Sequence, residues 1–111
     1  MPPFTFKDKL YNNPVELSLD IIGGKWKMPI IWRLKEGVKR YGELRKSLSK
    51  ITHKMLTQQL RELEQAGLIS RKVYPEVPPK VEYSLTPEGE TVLPIIDMLR
   101  DWGYEYKNRY D

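Results

Sequence analysis

The chain of 111 residues contains no cysteine and a single histidine. Without cysteine there is no disulfide, no thiolate metal site and no thiol-based redox sensing, and an intracellular protein is the plain expectation. His53 has no second histidine, cysteine or carboxylate cluster beside it, so no metal site is expected. A phosphate-binding glycine loop is also missing, and no nucleophile stands with a plausible base. An enzyme is therefore the weakest class, and no cofactor is expected. The N-terminal stretch MPPFTFKDKL has no apolar core of signal-peptide length, and the longest uncharged apolar run, Met28 to Trp32, cannot span a bilayer. The expectation is a cytoplasmic protein with no membrane partner, folded as one domain over 1–111.

What the chain does have is an uneven charge. The formal net charge is only +4. Between Arg33 and Arg61, however, nine bases face only Glu36 and Glu43, a local +7. From Glu82 onward seven acids outnumber Arg100, Lys107 and Arg109, a local −4. A basic middle with an acidic end suggests one surface for a polyanion and another kept away from it.

The basic stretch has its own pattern. Arg40 to Ala66 reads as a helix, a tight break and a second helix. On a helical wheel Leu60 and Leu63 fall on the stripe of Leu56, which marks the buried face. Lys54, Gln58 and Arg61 stand opposite, with Thr57 on the flank. Their side chains are long enough to reach base edges and phosphates from a helix lying in a major groove. Thr52 is the expected N-cap and Gly67 the stop.

Before that unit the chain predicts two N-terminal helices over 13–37. Asn13-Pro14-Val15-Glu16 starts the first, with Leu17, Ile21 and Ile22 inward and Gly23-Gly24 ending it in a left-handed turn. The second is expected from Lys25 to Lys35 with Trp26, Ile30, Ile31 and Leu34 inward, and Pro29 demands a late start or a slight kink. Met1 to Asn12 shows no clear period; its early prolines predict a mobile end, with Phe4, Phe6 and Tyr11 available to a partner subunit. A short helix from Tyr41 to Leu48 should pack Tyr41, Leu44 and Leu48.

After Gly67 the period changes to two. Leu68–Tyr74 and Val81–Leu85 are expected strands, joined by the proline-stiffened stretch Pro75–Lys80 and flanked by Arg71, Lys72 and Lys80. The 68–86 hairpin after a 40–66 helix-turn-helix makes a winged helix, a mainly α fold with a small β-hairpin (α+β). A final helix over 87–107, capped by Thr86 and bent at Pro94, carries Leu93, Ile96, Leu99, Met98, Trp102 and Tyr106 in an apolar band, read as a homodimer contact.

The runs DIIGGKWKMPI, RYGELRKSL, ITHKMLTQQLRELEQAGLI and YPEVPPKVEYSLTPEGE, in this order, resemble the HxlR-type winged-helix transcription regulators, a branch close to the MarR group. The resemblance covers Asn13 to Trp102. It implies a homodimer paired through its N- and C-terminal helices, with each winged helix reading a half-site of double-stranded promoter or operator DNA. Many members carry a cysteine just before the Pro-Val-Glu of the first helix, which in some is a redox sensor. Asn13 stands there in this chain, so thiol control does not carry over.

The candidate DNA-binding set is Arg40, Arg45, Lys46, Thr52, His53, Lys54, Thr57, Gln58, Arg61, Arg71, Lys72 and Lys80. Lys54, Thr57, Gln58 and Arg61 face the groove, Arg40, Arg45 and Lys46 add phosphate contacts, and Arg71, Lys72 and Lys80 belong to the wing. The expected function is a sequence-specific regulator, a repressor by occlusion of polymerase. The alternative is a winged-helix module that binds a protein partner, since fold does not settle function. The fold leaves room for a small-molecule effector between the dimer helices and the DNA-binding lobe, but no polar cluster points to one.

Overall fold

A computed structural model describes residues 2–111. The N-terminal segment departs from the sequence expectation. Strands β1 (Phe4–Phe6) and β2 (Lys9–Tyr11) pair antiparallel, Phe4 opposite Tyr11 and Phe6 opposite Lys9. The turn is two residues, Lys7 and Asp8, both left-handed at φ 47° and 64°, the geometry that matches strand twist in tight hairpins. Lysine is not a residue that announces such a turn, which is why the sequence pattern was silent. An isolated two-stranded hairpin is marginal in water, and this one is anchored. Phe4 stacks on Tyr11 at 5.8 Å, Tyr11 is buried, and its hydroxyl and the Lys9 ammonium both donate to Asp20 Oδ2, at 2.9 and 2.6 Å. Of the aromatics set aside for a partner subunit, Tyr11 is thus spent on its own chain.

Helix α1 (Pro14–Ile22) starts as expected, with Asn13 Oδ1 accepting from the Glu16 amide and Pro14 in the first turn. Glu16 returns its bond one residue earlier than a capping box would, to the Asn12 amide at 2.8 Å. At the helix end the two glycines divide the work differently from the expectation. Gly23 is extended, and a Cβ there would lie 2.2 Å from the Leu19 carbonyl; Gly24, at φ +93°, makes the left-handed turn. Helix α2 (Lys27–Leu34) starts late, so Pro29 falls in the first turn where its missing N–H breaks no bond. Ile30, Ile31 and Leu34 are buried and Trp26 packs at the edge of the core.

Strand β3 (Lys39–Arg40) leads directly into α3 (Tyr41–Ser47), and α4 follows over His53–Gln65. Thr52 Oγ1 caps α4 by accepting from the Met55 amide at 3.0 Å. Gly67 closes it at φ +78°, with Gly67 N–H donating to Glu64 O and Leu68 N–H to Leu63 O, both at 3.0 Å, the paired bonds of a Schellman end.

Strands β4 (Ile69–Tyr74) and β5 (Lys80–Leu85) form the wing, and β3 adds to the other side of β5, giving the order β3-β5-β4. A two-residue strand such as β3 has no sequence signal. Ile69, Tyr83 and the edges of Val81 and Leu85 pack on the helices. Thr86 locks the base of the wing, its Oγ1 donating to Gly67 O at 2.6 Å and its N–H to Leu68 O at 3.1 Å.

The final helix is two helices. Short α5 (Pro87–Glu90), capped by Thr86, gives way at Thr91-Val92 to α6 (Leu93–Tyr110), with Pro94 in its first turn. Pro94 therefore starts a helix, where its ring fits, instead of bending one. The core is one cluster in which Ile30, Ile31, Leu44, Leu56 and Leu63 are fully buried, with Leu60, Ile69 and Val92 close behind.

Two predictions follow from these joints. A Cβ at Gly89 would lie 2.0 Å from the Leu68 backbone carbonyl and 3.3 Å from a Leu85 methyl, so Gly89→Ala overpacks the junction of α5, β4 and β5. It should destabilise the protein by about 1–3 kcal/mol in urea titration; an unchanged midpoint would refute the contact. The second concerns Asp20, whose carboxyl is held below the usual carboxylate range by the Lys9 bond first and the Tyr11 bond second. A depressed group contributes stability above its unfolded pKa and loses it as pH falls through the folded one. At neutral pH Asp20→Asn should loosen β1–β2, seen as faster amide exchange across 4–11, whereas the native hairpin should hold until the medium is more acidic than an ordinary carboxylate requires.

Candidate nucleic-acid interface

The rotation of α4 is set by Leu56, Leu60 and Leu63, each at most 2% exposed. With those three inside, Lys54, Gln58 and Arg61 must be outside, and all three are exposed. His53, Lys54, Thr57, Gln58 and Arg61 line one open concavity of about 630 Å³ together with Glu62 and Gln65. Among the described residues neither Lys54 nor Arg61 has a carboxylate within ion-pair distance. Gln65 is an addition to the expected set, and its wheel position, beside Lys54 and Gln58, is the signal for it.

The first turn of α4 is held by Tyr41. Its hydroxyl lies 2.6 Å from His53 Nδ1 and 3.2 Å from the His53 carbonyl. This bond fixes the ring of His53 at the start of the helix. Thr52 is the cap: its Oγ1 accepts from the Met55 amide, and its O–H can still donate outward.

Glu62 is the other residue that pattern alone did not flag. Its Oε1 forms an ion pair with Lys27 Nζ at 2.8 Å, and its Oε2 accepts from Gln58 Nε2 at 3.1 Å. Lys27, the first residue of α2, is only 8% exposed and is the one charged residue of the buried set among the described residues. The Lys27 bond is the main reason that the Glu62 carboxyl sits below its ordinary range, opposed by partial burial and aided by Gln58.

The wing cations divide over two faces. Alternation along β4 and the pairing Arg71 opposite Tyr83 put Arg71 on the helix-facing side. There it lines a concavity of about 280 Å³ with Thr57, Arg61 and Glu64, next to the exposed face of α4. Lys72 and Lys80 lie on the opposite side, each ammonium 4.8 Å from the centre of the Tyr74 ring. The Tyr74 hydroxyl donates to Glu82 at 2.7 Å, which with Lys80 at 3.6 Å holds the Glu82 carboxyl low. Arg40, paired opposite Glu82, shares that outer face and lines a cleft of about 440 Å³ with Tyr41, Lys80 and the prolines of the wing tip.

The α3 bases are not all brought to this surface. Lys46 lines a separate hollow with Glu36, Glu43, Arg33 and Lys39, where two carboxylates offset the cations. Arg45 is exposed and unpaired among the described residues.

The C-terminal set also divides. Leu93 and Ile96 are half-buried against the protein's own core. Leu99, Trp102 and Tyr106 are 50, 64 and 50% exposed, with Trp102, Tyr106 and Tyr110 forming a ring ladder at 5.3 and 4.8 Å. Between α2 and α6 runs a largely apolar groove of about 420 Å³, lined by Met28, Pro29, Trp32, Ile96 and Leu99 with Arg33 and Arg100 at its rim. Among the described residues no cluster of three or more His, Cys, Asp or Glu stands ready for a metal, and no helix is long and apolar enough to cross a membrane.

Comparison with known proteins bears on this geometry. The chain matches the HxlR-like helix-turn-helix family over residues 21–111. YdeP of Bacillus subtilis, an uncharacterized HTH-type transcriptional regulator, is 58% identical over 98 residues, which span 88% of this chain and 77% of that protein. An uncharacterized HTH-type transcriptional regulator of Methanothermobacter thermautotrophicus is 52% identical over 99 residues, covering 89% of this chain and 76% of its own. Among solved structures, the HTH-type transcriptional regulator ytcD superimposes with a TM-score of 0.82 at 52% identity, over 86% of this chain and 98% of that one. The redox regulator HypR in its oxidized form gives 0.78 at 50% identity, over 84% and 96%. The winged helix, the cationic face of α4 and these relatives agree: the chain belongs to the HxlR-like helix-turn-helix family of DNA-binding transcriptional regulators and is not an enzyme.

Proposed function

We propose that the protein is a homodimeric, sequence-specific repressor that lays α4 in the major groove of operator DNA and rests its wing on the flanking backbone or minor groove. The observation that carries this reading is the unpaired cationic face of α4, fixed outward by the three buried leucines behind it. Arg61 is suited to a bidentate contact with guanine and Gln58 to one with adenine. Lys54, His53 and Thr57 reach phosphates or neighbouring bases from the same concavity. Arg71 extends the reading face beside Arg61, whereas Lys72, Lys80 and Arg40 contact backbone across the outer face of the wing. Repression follows from occupying promoter DNA that polymerase needs, in the cytoplasm.

Dimerisation is supported by α6. Beyond Arg100 every residue of that helix is exposed. The radius of gyration is 16.0 Å, against roughly 13 Å for a compact chain of this length. A projecting helix with an aromatic ladder is covered best by a second copy. Leu99, Trp102 and Tyr106 form that contact, with Leu93 and Ile96 at its inner end. HypR is a redox regulator; with Asn13 occupied in capping α1 and no cysteine anywhere in the chain, thiol oxidation is not proposed as the signal here.

Affinity for the protein's own promoter region should fall steeply with salt, because each neutralised phosphate releases counterions. Arg61→Ala should narrow the gap between operator and random DNA by about 1–3 kcal/mol, while Lys80→Ala weakens both about equally. Unchanged discrimination in Arg61→Ala would show that the reading face is misassigned. For the dimer, Trp102→Ala should shift sedimentation equilibrium toward monomer, and a dimer of native strength would remove α6 from the interface.

A further inference from the structure

Lys27 is a lysine in a place where an apolar residue would serve stability as well, since replacing a largely buried ion pair by packed hydrophobic side chains is commonly neutral or favourable. Its effect is on the position of something else. Lys27 Nζ takes Glu62 Oε1 at 2.8 Å, leaving Oε2 for Gln58 Nε2 at 3.1 Å. Each carboxylate oxygen has its own partner, so tilting the carboxylate out of this position breaks both bonds. The anchor is buried, the carboxylate half-buried and the amide exposed on the α4 face. The three form a line from the core of the protein to its outer surface.

We infer that Glu62, clamped by Lys27, is a positioning residue that fixes which way the Gln58 amide faces and thereby makes Gln58 selective for adenine. This rests on the reading of α4 as the base-contacting helix. An ionised carboxylate is an acceptor only, so the side of the amide turned to Glu62 must be its NH2 group. A flipped amide would set Oε1 against the carboxylate. With the N–H trans to Oε1 given to Glu62, the remaining N–H lies beside Oε1 on the outward edge. That outward pair, one donor and one acceptor, complements the N7 acceptor and N6 donor of adenine. Guanine presents two acceptors, N7 and O6, and leaves Oε1 facing an acceptor. An unclamped glutamine samples both flips and can turn its NH2 group to the two acceptors of guanine; in the clamp that turn forfeits the bond to Glu62, which corresponds to roughly a 2- to 10-fold selectivity for adenine.

The test is selection from a randomised duplex library followed by sequencing, run on the full-length wild type, Gln58→Ala, Lys27→Met and Glu62→Ala, each checked by thermal melting. Wild type should favour adenine at one position of each half-site, and Gln58→Ala should erase that preference. Lys27→Met and Glu62→Ala should flatten the same position by roughly 2- to 10-fold and leave the others as they were. If Gln58→Ala changes no position, the base-reading role of Gln58 fails and the clamp falls with it. If Gln58→Ala flattens one position but both clamp variants keep it, the reading stands and the clamp is refuted. An even loss across all positions in the clamp variants refutes it too, since a merely structural defect has no base preference. Should Lys27→Met melt below the assay temperature, Glu62→Ala, at a more exposed site, decides the question alone.

Discussion

The arrangement depends on burying one leucine stripe. Leu56, Leu60 and Leu63 are each nearly or fully withdrawn from water, and each contributes on the order of 1.5–3 kcal/mol relative to exposure. Turning α4 by one residue's worth of rotation would lift part of that stripe into solvent and drive Lys54 or Arg61 toward the core. Hydrophobic burial is non-directional in origin, yet on a helix it becomes directional, because the apolar side can face the core in only one way. The orientation of the cationic face is a by-product of where the leucines go. The caps then fix the ends: Thr52 below, the Gly67 turn above, and Thr86 tying that turn to the wing.

This explains which parts of the molecule were legible from the residues. The α4 face, its caps and the 68–86 hairpin follow from periodicity and from side chains that act on their own neighbours, so a local reading suffices. The structure departs from sequence where the deciding contact is long-range or the local signal is faint. The β1–β2 hairpin turns on Lys7-Asp8, a poor turn signature, and is held by Asp20 from α1. Strand β3 exists because β5 offers it a ladder. As the third residue past the Thr86 cap, Gly89 has no side chain to return a bond. Its amide is nevertheless the one that Thr86 Oγ1 accepts from, at 3.0 Å, and only glycine fits under the Leu68 carbonyl. Lys27 reads as one more surface base in a basic protein; no period reveals that it reaches the middle of α4 from the adjoining helix.

Net charge is a poor guide to what the surface offers, and the pairing of charges is a better one. In α6 Arg100 is held by Asp97 and Asp101 and Lys107 by Asp111, so two of its three cations are neutralised where they stand. Lys9 is likewise taken by Asp20 and Lys39 by Glu36. On the wing, Lys80 stands 3.6 Å from Glu82, a longer contact that leaves its other ammonium donors open. Lys54, Arg61 and Arg71 are left without such partners among the described residues, and they cluster around Thr57 on adjoining concavities. A surface ion pair is worth little for stability, but it decides whether a base is available to a polyanion. The acids therefore shape what a chain of modest net charge offers: they mask Lys9, Arg100 and Lys107, and leave Lys54, Arg61 and Arg71 open beside the α4 face. Glu62 lies on the open face itself, and its charge is answered from inside the protein by Lys27 instead of from the surface.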